Sequence, residues 1–255
     1  MTGRPYLLEE TTWREIRSGA GEIAILPWGA TEAHNLHLPY GTDTIQASAV
    51  AARAAELAWE EGIRVRVLPA IPFGVQTGQL DIPLCVNLNP STQAAILGDV
   101  VDSLERAEID TLVILNGHGG NDFKAIIREL QPTVDCFLCV VDWWKVADGR
   151  EFFDAPGDHA GELETSCMMH LAPHLVLPLD EAGPGAERRF RIGGLREGWA
   201  WAPRQWTRIS DDTGVGDPRG ATPGKGAAFI DVVTRRVGRL LVELAATDRD
   251  GLYEA

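Results

Sequence analysis

Apolar positions along the chain fall into short continuous runs separated by longer amphipathic stretches, the pattern of alternating strands and helices. Ile23-Ala24-Ile25-Leu26 and Thr111-Leu112-Val113-Ile114-Leu115 predict buried strands over 22–27 and 111–115. Arg64 to Leu68 alternates charged and apolar residues before Pro69 and predicts a third strand, and 134–141 predicts a fourth. Helices are predicted over 7–18, starting near Thr11 or Thr12, and over the alanine-rich 44–61, which Gly62 stops. Two more follow over 91–107, behind Ser91 or Thr92, and about 122–130. Helical spacing resumes at Glu162 in ELETSCMMHL. The last predicted helix, about 223–246, carries Ile230, Val233, Val237, Leu240, Leu241 and Leu244 on one face. The breaker-rich segment 69–92 predicts a long loop or irregular hairpin, a length that often carries function. Residues 180–223, rich in Gly, Pro, Trp and Arg, show no period.

This order of elements predicts one α/β domain over 1–255: a layered α/β/α fold with a mostly parallel sheet and helices on both faces. An apolar fraction of 45% over 255 residues supplies a sizeable core. The formal net charge of −14 opposes binding to nucleic-acid phosphates. No apolar run reaches the roughly 18 residues needed to span a bilayer, and the N-terminus lacks the apolar core of a signal peptide. A cytoplasmic protein with a small-molecule partner, and neither a nucleic-acid nor a membrane partner, is expected. Cys136 and Cys139 form a CxxC spacing inside a predicted strand, where i and i+3 point to opposite faces, so both are expected to be structural. His170 and His174 have the i, i+4 spacing of a metal pair, but Pro173 between them breaks the helix.

Three stretches carry candidate chemistry. Trp28 to Asp43 places Glu32, His34, His37 and Asp43 in a loop leaving a strand, and these side chains hold divalent metals through oxygen and nitrogen. Open α/β sheets place their ligand sites at such strand ends. NGHGGN, 116–121, leaves a second buried strand with His118 among glycines that allow close approach of a metal or substrate. The third, DHAGELETS at 158–166, brings His159, Glu162 and Glu164 to the start of a helix.

Together these stretches resemble the creatininase, or creatinine amidohydrolase, family. The resemblance rests on ExHxxHLPxGTD at Glu32–Asp43, NGHGGN, HAGxxETS at His159–Ser166, and the GDPxxAT…KG pattern within 213–226, all in the family's order. It implies two divalent metal ions between strand ends. One ligand set matches Glu32, Asp43 and His118, and a second matches His34 and Asp43, so Asp43 would bridge. Creatininase carries a further carboxylate two residues after the His of HxE. Gly120 stands there in this chain, and Glu164 is expected to replace the missing carboxylate, with Glu162 as the alternative. Two divalent ions carry one charge more than Glu32, Asp43 and Glu164 cancel, which suits a metal-bridging hydroxide as nucleophile. His159 matches a catalytic His of the family, expected to polarise the carbonyl or protonate the leaving group, and Glu164 counts with it among the catalytic residues.

His37, Gly119, Gly120, Asn121, Trp143 and Trp144 are expected to touch substrate or to support the ligands from behind. Creatininase sandwiches its flat substrate between aromatic side chains, whereas the residue four before His159 is Ala155 here. The expected ions are zinc first, then manganese or iron. The expected activity is hydrolysis of a small cyclic amide, a formamide or a related carbonyl compound. Alternatives are a lactonase, a hydrolase opening cyclitol-derived cyclic ketones, or a non-catalytic metal-binding member. The family's habit implies a homo-oligomer, often a hexamer.

Overall fold

The computed structural model describes residues 3–17 and 19–253. Four parallel strands form one sheet in the order β2-β1-β3-β4, with β1 at Ile23–Trp28, β2 at Val65–Val67, β3 at Thr111–Asn116 and β4 at Phe137–Asp142. β1 pairs with β3 along its full length, from Ile23 opposite Thr111 to Trp28 opposite Asn116. Every residue of β1 and β3 is buried, as expected of parallel strands covered on both faces.

Alternate residues of the strands feed two separate cores. Ile23, Ile25, Val113 and Leu115 meet Val50, Ala51 and Ala54 of α2 (Thr42–Glu60) and Phe229, Val233 and Val237 of α8 (Pro223–Ala246). Ala24, Leu26, Leu112 and Ile114 meet Leu97 and Val101 of α3 (Pro90–Arg106) and Phe123 and Ile126 of α4 (Phe123–Leu130). The result is the expected three-layered α/β/α arrangement with a wholly parallel sheet. Cys136 joins the α3–α4 core and Cys139 packs against the other, and both thiols are free.

Departures from expectation cluster where no apolar face anchors the chain. Residues 7–18 form a 3-10 turn and then only α1 (Trp13–Ile16), which buries no residue and is held by a capping box between Thr12 and Glu15. Ser18, the expected last residue of that helix, lies outside the described residues. Before α8 begins, the 180–223 segment contributes only the short α6 (Gly193–Glu197) and α7 (Trp206–Ile209) and a 3-10 turn at Pro218–Gly220. α5 (Glu162–Leu171) packs beside α8, and Gly226 makes that approach possible, because a side chain there would collide with the Ser166 carbonyl.

Trp143 corrects the expectation of a substrate-facing or supporting indole. It is 1% exposed and packs edge-on against Phe229 in the α2–α8 core. The chain turns into a 3-10 helix immediately after β4, and that turn drops Trp143 onto the core side.

Candidate metal centre

The site lies at the carboxyl ends of β1 and β3, the two central strands. The chain runs from β1 to β2 on one side and returns to β3 on the other, so this is the crevice where strand order reverses. Glu32 and His34 follow β1, Asp43 stands in the first turn of α2, and His118 follows β3. His159 and Glu164 come from the entry to α5. His159 is fixed by a two-way backbone bridge to Val215, which explains why the 213–226 stretch belongs to the same site.

The asparagines of NGHGGN brace the loop. Asn116 Oδ1 accepts from the His118 amide at 3.1 Å and from Asn121 Nδ2 at 3.0 Å. Asn121 Oδ1 accepts from Val75 N at 3.0 Å and from Gln93 Nε2 at 2.8 Å. Asn121 is buried and therefore supports His118 and the 73–76 loop from behind. Ala160, ahead of α5, is held at φ +50°, a conformation that non-glycine residues keep only where the surroundings impose it. Its amide donates to the Glu164 carboxylate.

Six donor-bearing side chains converge. The ligand atoms of Glu32, Asp43 and His118 lie within 4.8 Å of one another, as do those of His34, Asp43 and Glu164, and those of Glu32, His34 and His159. His34 Nε2 is 2.9 Å from Asp43 Oδ1, and His118 Nδ1 is 2.9 Å from Glu32 Oε1 and 3.1 Å from Asp43 Oδ2. The opposite nitrogen of each ring faces a backbone carbonyl: His34 Nδ1 meets Glu32 O at 3.1 Å, His118 Nε2 meets Val75 O at 2.9 Å, and His159 Nε2 meets Ala33 O at 2.8 Å. A carbonyl only accepts, so each of those nitrogens carries the hydrogen. A neutral ring would therefore aim a lone pair at carboxylate oxygens, an arrangement that requires a cation between them. Protons or metal ions can fill that role, and the donor set fits divalent metals.

The electrostatics follow from this crowding. Burial alone would lower the His34 pKa, but Asp43, Glu164 and Glu32 around it push it up to about 10. Glu32 and Asp43 overcome burial at His118 and hold it well above the ordinary value. Burial opposes ionisation of Asp43, yet His34 and His118 keep it below the usual carboxylate range. Burial raises Glu164, only partly offset by His34 and His159.

His37 stands apart from the cluster. It is buried, shares a 2.9 Å hydrogen bond with Thr165 Oγ1 on α5, and burial lowers its pKa to about 4. It supports the helix turn that presents Glu164. Glu162, the alternative ligand, points elsewhere: it pairs with Lys225 and accepts from Ala155 N at 2.7 Å. Residues two apart on a helix face different directions, so only one of the two glutamates can reach the cluster.

A cleft of about 320 Å³ opens over the donors, lined in part by Gly119, Gly120, Trp144, Trp201, Arg204 and Trp206. Trp206 packs on His159 at 4.6 Å between ring centroids, and Arg204 stacks over Trp206 at 4.7 Å while pairing with Asp158 at 2.7 Å. The sequence reading did not assign Trp206 or Arg204 to the site, because both reach it from the segment without periodicity. Gln79 was also missed. It donates to Glu32 from within the long loop 69–92, whose length was its only signal.

A wound parallel sheet bearing buried carboxylates and imidazoles at its strand ends has the donor set of a divalent-metal site. A family model for creatininase, described as creatinine amidohydrolase, matches residues 9–241, and the chain belongs to the creatininase family. A crystal structure of a candidate creatinine amidohydrolase from Bacteroides fragilis superposes with a TM-score of 0.93 at 41% identity, covering 99% of this chain and 100% of that one. The mycofactocin precursor peptide peptidase of Mycobacterium tuberculosis is 30% identical over 234 residues, 84% of each chain. The creatinine amidohydrolase of Pseudomonas putida is 28% identical over 66% of this chain and 72% of its own. A Methanothermobacter marburgensis deformylase of a formylamino-pyrimidinone ribotide is 28% identical over 69% and 71%. Amidohydrolase, peptidase and deformylase all break a carbonyl–nitrogen bond with water. No described helix is long and apolar enough to cross a membrane.

Proposed function

We propose that the chain hydrolyses a carbonyl–nitrogen bond with two divalent ions, one held by Glu32, Asp43 and His118 and the other by His34, Asp43 and Glu164. The observation that carries this is the orientation of the histidines, each of which turns one ring nitrogen to a backbone carbonyl and the other to the carboxylates. Zinc and manganese fit this mixed oxygen–nitrogen set. Bound there, the ions would supply hydroxide at neutral pH and polarise the scissile carbonyl.

The chain's own residues do the rest. Asp43 presents one oxygen to each donor set. His159 keeps Nε2–H on the Ala33 carbonyl and offers Nδ1 to the cleft, where it can carry a proton to the departing nitrogen. Trp206 covers His159 and keeps water off that face. Ala155 in place of an aromatic residue, together with a cleft bounded by Trp201 and Trp206, supports formamides and peptide-like amides over creatinine itself. The relatives named as peptidase and deformylase point the same way. Lactones and cyclic ketones are further candidates on the same site.

The test is metal analysis combined with a screen of formamides, peptide amides, cyclic amides and lactones in added zinc or manganese. Two ions per chain and hydrolysis of at least one class are expected, both lost in His118→Ala. Full metal content and activity in His118→Ala would overturn the site, and stoichiometric metal without any hydrolysis would favour a binding protein. We propose further that the chain assembles into a homo-oligomer, supported by the exposure of Trp13, Leu36, Leu80, Leu84 and Trp199. Sedimentation of a monomer at micromolar concentration would refute that assembly.

A further inference from the structure

Glu32 has two carboxylate oxygens, and only one faces the cluster. Oε1 lies 2.9 Å from His118 Nδ1, 3.8 Å from His159 Nδ1 and 4.0 Å from His34 Nε2. Oε2 turns away and accepts a hydrogen bond from the side-chain amide of Gln79. Gln79 is fully buried, and its other end is held as well: the Cys85 thiol donates to Gln79 Oε1 at 3.1 Å. These two contacts fix which end of the amide is which, since S–H seeks an oxygen and a carboxylate needs N–H. The Cys85 sulfur also accepts from the Ala33 amide at 3.4 Å, and the Ala33 carbonyl accepts from His159 Nε2 at 2.8 Å. Gln79 and Cys85 thus brace two members of the cluster, Glu32 directly and His159 through the Ala33 peptide.

We propose that Gln79 is a positioning residue that restricts Glu32 to a single metal-facing oxygen, and that Cys85 sets the orientation of the Gln79 amide. This rests on metal binding at the cluster. A carboxylate can hold a divalent ion through one oxygen or both. An amide N–H on Oε2 takes the second oxygen out of use and so fixes coordination number and ligand angle, which is the protein's part in a metal site. Neither residue belongs to the four motif stretches, so this part of the chain's metal chemistry is written into the 69–92 loop.

The test uses the full chain with Mn(II) and Co(II) as probes. Gln79→Leu keeps the bulk and removes the donor. It is expected to weaken Mn(II) binding about 10–100-fold and to change the visible absorption of bound Co(II), whose intensity reports coordination number. Cys85→Ala is expected to weaken binding less, and Cys85→Ser, which keeps a donor to Gln79 Oε1, to restore it. A merely structural role would lower the melting temperature and leave the Co(II) spectrum of the folded protein unchanged. If Gln79→Leu does not fold, Gln79→Asn keeps the amide, shortens its reach by one carbon, and gives the same two readouts. Unchanged Co(II) absorption and Mn(II) affinity within twofold of wild type would overturn the proposal alone. Failure of the wild-type chain to bind Co(II) would overturn the metal reading on which it rests.

Discussion

Replacing Gly120 with alanine adds one methyl group at a crowded point beside His118. Its Cβ would collide with the Val75 carbonyl oxygen and with His118 Nε2, the two atoms that form the 2.9 Å hydrogen bond orienting the His118 ring. Neither can step aside cheaply. The Val75 amide is bonded to Asn121 and the following Gln76 amide to Asn87, while His118 is tied through its own amide to Asn116. The bond must therefore stretch or break, leaving a buried N–H and carbonyl poorly matched, at about 1–3 kcal/mol. At about 2–4 °C per kcal/mol for a chain of this size, metal-free Gly120→Ala should melt roughly 2–12 °C below wild type. A ligand whose outer hydrogen bond is lost typically binds metal about 10–100-fold more weakly, equivalent to about 1.4–2.8 kcal/mol. The assays are thermal unfolding without metal and competition titration with Mn(II). Gly119→Ala is the control, since a Cβ there meets nothing within 4 Å, and both readouts should match wild type. Gly120→Glu restores the carboxylate that creatininase carries at this place but inherits the same collision, so it should bind no tighter than Gly120→Ala. A Gly120→Ala protein that melts and binds Mn(II) like Gly119→Ala would refute the reasoning.

Four further outcomes are expected. Glu164→Gln should lose metal, whereas Glu162→Gln should retain it and melt below wild type as Lys225 loses its buried anionic partner; metal analysis and melting curves of the pair separate the two roles, and the reverse result would exchange them. Without metal, His34 at about 10 and His118, also raised, both hold protons at pH 7, so metal entry should release about two protons. Calorimetry in buffers of differing ionisation enthalpy counts them, and a release near zero would contradict the assignment. Because these pKa values lie above the unfolded value near 6.5, their stabilisation is full below that pH and is lost as pH rises through the raised values. The metal-free protein should therefore melt lower at pH 9–10 than at pH 6.5. Burial pushes the Cys136 and Cys139 thiols up to about 12 and about 11, so neither should react with a disulfide reagent at pH 8 until the chain unfolds.

The elements read from the sequence match the structure where one apolar pattern meets one partner. The runs at 22–27 and 111–115 become β1 and β3 because a parallel strand buried on both faces has no polar positions to interrupt it. α8 begins at Pro223 behind the Thr222 cap and ends at Ala246, as its spacing predicts. The 7–18 pattern failed because helical propensity without a buried face holds only one turn. Trp143 and Trp144 are adjacent and chemically alike, yet one fills the core and the other lines the cleft; which does which depends on how the turn after β4 lies on α8, and neither residue encodes that alone.

The site divides along a similar line. Residue type marks the candidates, His37 and Glu162 included, and the resemblance to creatininase selects Glu32, His34, Asp43 and His118 from them, with Glu164 for the missing carboxylate; the structure draws these five together. What aims those donors has no such signature. The carbonyls of Glu32, Ala33 and Val75 decide which nitrogen of each histidine is free, and a backbone carbonyl is the same atom whatever residue carries it. Gln79 and Trp206 each act across about 47 residues of chain, Gln79 on Glu32 and Trp206 on His159, so no local spacing announces either contact. Trp206 also lines the cleft over the donors, where a substrate would meet it. The donors alone therefore do not name the bond that is hydrolysed, and the relatives of this chain bear the names amidohydrolase, peptidase and deformylase.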